Sequence, residues 1–111
     1  MDDKAIRRQT SELADQAYEE ELRRALAPLA EAFERWKAGA ASSVEISDMI
    51  HEFHQGPSRQ LGRTYTALKP STLVARAVSL GVIARKNLPP EVAAALADEI
   101  GTFEQLARDE P

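Results

Sequence analysis

At 111 residues, 43% apolar, with six prolines and no cysteine, the chain has the size of one domain and not the composition of a disordered segment. Without cysteine there is neither a disulfide framework nor a thiolate zinc site, which suits a reducing, cytoplasmic setting. No apolar run approaches the ~20 residues of a membrane helix, and the opening Met-Asp-Asp-Lys has no apolar core behind it, so neither a membrane partner nor a signal peptide is expected.

The formal charge of −4 is unevenly spread. Residues 1–55 carry seven Lys/Arg against twelve Asp/Glu, residues 56–88 six Lys/Arg and no acid, and residues 89–111 one Arg against six acids. Such a pattern marks either a basic patch or an internal complement to the flanking acids.

Residues 1–10 are polar and read as a flexible lead into a single all-α domain over 11–111. From Ser11 to Ala38 the spacing predicts one long helix. Its large side chains Leu22, Leu26, Leu29, Phe33 and Trp36 recur at intervals of 4, 3, 4 and 3, a heptad-type seam that Tyr18 extends toward the N-terminus. Pro28 interrupts the backbone ladder without breaking the phase of the seam, so a kink is expected there. Gly39 ends the helix.

Ser42 and Glu45 have capping-box spacing, and Ile46, Met49, Ile50 and Phe53 follow at i, i+3, i+4 and i+7, one face of a second helix. Gly56 reads as a left-handed C-cap and Pro57 as the first turn of the next helix, together a helix–turn–helix corner. In the third helix, to about Leu68, Leu61, Tyr65 and Leu68 face inward while Arg59, Gln60, Arg63 and Thr64 face outward; Gly62 suggests a close neighbouring backbone. Pro70 opens a fourth helix with Leu73, Val74, Ala77, Val78 and Leu80 apolar, capped by Gly81. After a partly basic connection, Pro89-Pro90-Glu91 starts a last helix striped by Val92, Leu96, Ile100, Phe103 and Leu106, with Gly101 as a point of bending. No segment alternates with period two. The expected architecture is a compact bundle of about five helices with one long N-terminal member.

Three groups of residues invite a functional reading. His51 and His54, with Asp48 near, share one helical region, but the pair lacks the i, i+4 spacing of a zinc-protease helix and has no evident third ligand. In the commoner outcome His54 borders the core with one ring nitrogen bonded locally while His51 is solvated, and neither metal nor cofactor is expected. Ser58-Arg59-Gln60-Leu61-Gly62-Arg63-Thr64-Tyr65 locally resembles the recognition helix of helix–turn–helix DNA-binding proteins, over about ten residues. That resemblance implies anion or nucleic-acid contacts through Arg59, Gln60 and Arg63, with Arg76, Arg85 and Lys86 adding charge. The helix before it departs from the family pattern, being bulky where that pattern is small. The seam of Leu22, Leu26, Leu29, Phe33 and Trp36 is on most helices simply a buried face. The excess length of this helix points further, to a protein partner or a second copy covering part of it. The first expectation is therefore a non-catalytic cytoplasmic interaction module that docks on another protein or on a second copy of itself; the alternative is a nucleic-acid-binding protein using residues 57–86.

Overall fold

Caps written into the sequence set half of the α-helix ends. In the computed structural model, which describes residues 2–109, Asp2 accepts a hydrogen bond from the Ala5 N–H at 2.8 Å and starts α1, Asp3–Lys37. Met1, Glu110 and Pro111 lie outside the described residues. Ser42 Oγ accepts from the Glu45 N–H at 3.1 Å and starts α2, Ser43–Phe53. Pro70 and Pro90 occupy the first turns of α4, Pro70–Ser79, and α5, Pro90–Ala95. α3 covers Arg59–Ala67 and α6 covers Ala97–Asp109. Gly39 and Gly81 sit at φ +80° and +74°. The following residues close the ends they cap, Ala40 N–H donating to Arg35 O and Val82 N–H to Ala77 O, both at 2.8 Å. The described residues contain no strand, and the all-α bundle with a long N-terminal helix is the fold.

The first difference from expectation is at the start. α1 begins at Asp3, not near Ser11, so the segment expected as a flexible lead is helical. Ile6 packs on the core and Thr10 is buried, its hydroxyl donating to Ile6 O at 2.7 Å. Ile6 on the core and the buried Thr10 continue a helix already capped at Asp2.

The second difference is larger. There is no helix–turn–helix corner at Gly56-Pro57. Gly56 does not adopt a positive φ, and α2 passes into α3 through a π-helical turn, His54–Ser58. Proline has no N–H, and its ring would collide with the Phe53 carbonyl four residues back in a regular α-helix. Widening that turn by one residue removes the collision and keeps the helical path running. The resemblance to a DNA-recognition helix therefore loses its scaffold: what precedes Arg59 is more of the same helix. A third difference is that the last helix divides at Leu96, five residues before Gly101.

The core gathers at one end of the molecule. Ala14, Leu73, Val74, Ala75, Leu88, Val92, Leu96 and Ile100 are buried together, with Ile6, Leu13, Tyr65, Val78, Ile83 and Phe103 against them. Leu68, Leu80 and Leu106, expected to face inward, lie at helix ends and are 37%, 53% and 56% exposed. α4 packs against α1 and α6, and its C-terminal end reaches α1 near Ala25. Beyond that level, the rest of α1 and its antiparallel neighbour α2 form an arm whose buried residues are Ala32 and Ile46. The extents of 55 × 34 × 25 Å record that arm.

Candidate interaction surface

The face by which α1 enters the bundle is not its line of large side chains. Thr10, Ala14, Ala17 and Ala32 are the buried residues of α1, and Glu21 and Ala25 continue that line half-buried. At about 100° per residue this row of mostly small residues lies roughly a quarter-turn from the Leu22–Trp36 seam. Small side chains let α4 approach closely, and the seam is turned toward the edge of α2 and the solvent. Leu22 and Leu29 are half-buried, whereas Leu26, Phe33 and Trp36 are 44%, 39% and 42% exposed.

On the arm these residues join a strip with α2. Phe33 and Trp36 meet edge to face, centroids 6.2 Å apart. The Trp36 indole N–H donates to Ser43 Oγ at 2.9 Å. Ile50, seven residues on from Ser43 and therefore on the same line of α2, is 46% exposed. Next to Leu26 a shallow trough of about 430 Å³ is lined by Glu19, Arg23, Leu26, Ala27 and Ala30. The trough is edged by Leu26, Glu19 and Arg23 and floored by Ala27 and Ala30, room for a side chain of a docking helix.

The six basic-site residues do not gather in one patch. Arg76 turns inward and pairs with Glu21, Nη1 to Oε2 at 2.8 Å. Arg85 pairs with Glu104 at 2.8 Å. Gln60 faces a cleft beside α1, while Arg59 and Arg63 are exposed on α3 around a shallow groove with Gly62 and Thr66. Lys86 is exposed in a short 3-10 turn, Arg85–Asn87. The basic stretch thus serves partly as internal complement to the acids of α1 and α6. His51, His54 and Asp48 are all exposed, and among the described residues no three His, Asp or Glu side chains are placed to hold a metal together.

A polar network that the seam did not announce lies where α1, α3 and α4 meet. Glu21 accepts from both the Tyr65 hydroxyl and the Arg76 guanidinium. Tyr65 stacks on Tyr18 with centroids 4.6 Å apart and rings 14° from parallel, and the Tyr18 hydroxyl approaches Gly62. Burial, and then the Glu21 carboxylate, push the Tyr65 phenol well above its ordinary value against a smaller pull from Arg76. Beside the network is a cleft of about 490 Å³ lined by Glu21, Arg24, Gln60, Thr64 and Arg76, with Pro57 of the π-helical turn at its edge. Every charge in it is matched, since Arg24 also pairs with Glu20 at 2.6 Å. The signal that would have found Glu21 is its place in the small-residue row, four residues from Ala17 and four from Ala25.

Compared with known protein families, curated proteins and solved structures, the chain finds no match. No described helix is long and apolar enough to cross a membrane.

Proposed function

We propose that the protein is a small cytoplasmic interaction module without catalytic activity, docking through the exposed apolar strip of the α1–α2 arm. One observation carries the reading: Leu26, Phe33, Trp36 and Ile50, four large apolar side chains each 39–46% exposed, lie along an arm that the core does not cover. Single exposed apolar residues need no explanation, but four large ones on one arm do. The charge segregation adds no support to it, because Arg76 and Arg85 are used in internal pairs with Glu21 and Glu104. The test is a photocrosslinking residue at Ala30, in the trough, compared with one at Ala107 on the exposed side of α6. In cells of the native host, protein adducts at Ala30 and none at Ala107 are expected. No adduct at Ala30 refutes docking through this face.

A second reading, nucleic-acid binding, rests on Arg59 and Arg63. They lie four residues apart on α3 and both are exposed. Its reach is reduced to those two side chains with Lys69 and Lys86, now that Arg76 and Arg85 are engaged.

A further inference from the structure

The outermost line of α1 reads Glu19, Arg23, Leu26, Ala30, Phe33 and Lys37, at intervals of 4, 3, 4, 3 and 4. All six residues are exposed. This is a heptad stripe of the kind that packs against another helix, and it is distinct from the buried small-residue row. It also has a symmetry of its own. Positions 19 and 37, 23 and 33, and 26 and 30 each lie equally far from position 28. Laid antiparallel on a second copy with the two-fold axis at that level, the stripe matches itself. Glu19 meets Lys37 of the other copy, opposite charges at each end. Arg23 meets the Phe33 ring, a cation over an aromatic face. Leu26 meets Ala30, a large side chain against a small one, and the trough lined by Leu26, Ala27 and Ala30 is where the other copy's Leu26 enters.

From this match we infer that the α1 arm is the interface of an antiparallel homodimer, a second copy of the chain covering the part of the docking face formed by Leu26 and Phe33. The inference rests on the interaction-module reading and names its partner. An isologous contact needs one patch complementary to itself, and the stripe provides size, charge and apolar matches in a single register. A parallel copy in register would instead set Glu19 on Glu19 and Lys37 on Lys37. The paired stretch is about 27 Å of helix. Its narrow width places the contact among small interfaces, which suits a concentration-dependent dimer. The Lys37–Glu34 pair within the chain, 2.9 Å and largely exposed, offers little resistance to a change of partner.

Light scattering coupled to size exclusion and sedimentation, from a few to several hundred micromolar, tests the inference on the full chain of 12.2 kDa. The expected mass rises with concentration to that of two chains. Leu26→Asp, at a half-exposed site, is expected to remain helical by circular dichroism and monomeric throughout. Glu19→Lys and Lys37→Glu should each weaken the dimer by about tenfold, by setting like charges opposite one another. The double variant Glu19→Lys/Lys37→Glu should restore it to within about threefold of the wild type, because the reversed pair attracts again. Within one chain the two residues stand about 27 Å apart along a helix, so rescue reports a contact between copies. A monomer at all concentrations overturns the inference, as does a dimer indifferent to Leu26→Asp or charge reversals without rescue. The Ala30 crosslink then separates the two failures. An adduct with a different protein keeps the docking face and removes the second copy, whereas no adduct removes both.

Discussion

Tyr65 ties three helices through one carboxylate, and its phenol is the group in the fold with the plainest pH signature. Its burial and its bond to Glu21 hold the proton on in the folded chain at pH values where a free phenol, near 10, releases it. The folded value is above the unfolded one, so the stabilisation is complete below about pH 10 and declines as pH rises beyond that. The unfolded chain then carries fewer protons than the folded one. Tyr65→Phe removes this dependence. It also leaves Glu21 with one donor fewer, which should cost about 1–2 kcal/mol at neutral pH. Urea unfolding of both proteins between about pH 8 and 11 is the measurement. The gap between them is expected to shrink above about pH 10, and parallel curves would contradict the role given to the phenol. Sequence reading placed Tyr65 on an inner face and passed over Glu21, because a single acid in a row of alanines has no periodic signature of its own. The seam was found by residue size, yet the closest packing of α1 follows the residues with least side chain, a preference set by how near α4 must come.

At the scale of elements, what was legible was what side chains state locally. Ser42 with Glu45, Pro70, Pro90, and the glycines at the ends of α1 and α4 each satisfy or forbid a specific backbone hydrogen bond, and all appear where the sequence places them. Gly56-Pro57 was misread because a Gly-Pro pair fits two outcomes: a stop followed by a start, or a proline absorbed in a widened turn. Only the packing of α2 and α3 along one side of α1 decides between them. The two kinds of glycine should respond oppositely to alanine. Gly81→Ala forces a side chain into φ +74° and should destabilise by about 1 kcal/mol. Gly56→Ala enters helical backbone with nothing within 4 Å of the new methyl group, and should be neutral or stabilising by up to about 1 kcal/mol. Chemical denaturation of the two variants decides it, and a costly Gly56→Ala would restore the corner.

For the whole molecule the distribution of charge matters more than its sum. An acid-free stretch of 33 residues between two acidic ones was visible in the sequence; its destination was not, because nothing local records that Arg76 points at α1 or Arg85 at α6. With those two engaged, a nucleic acid would meet Arg59 and Arg63 on α3 inside the field of a chain of net charge −4. Backbone binding draws its strength from released counterions, with log K falling by about 0.9 per log unit of salt for each duplex phosphate neutralised. The two arginines support a slope of about −2, and about −4 with Lys69 and Lys86, against like-charge repulsion from α1 and α6 at physiological salt. Anisotropy titrations with random duplex and single-stranded DNA are expected to show no binding tighter than about 100 µM at 150 mM salt. At low salt, any residual binding should vanish in Arg59→Ala/Arg63→Ala. The same double variant should leave self-association through α1 untouched, since α3 stands apart from the outer stripe. Micromolar binding at physiological salt that this variant abolishes would transfer the function from the arm to α3.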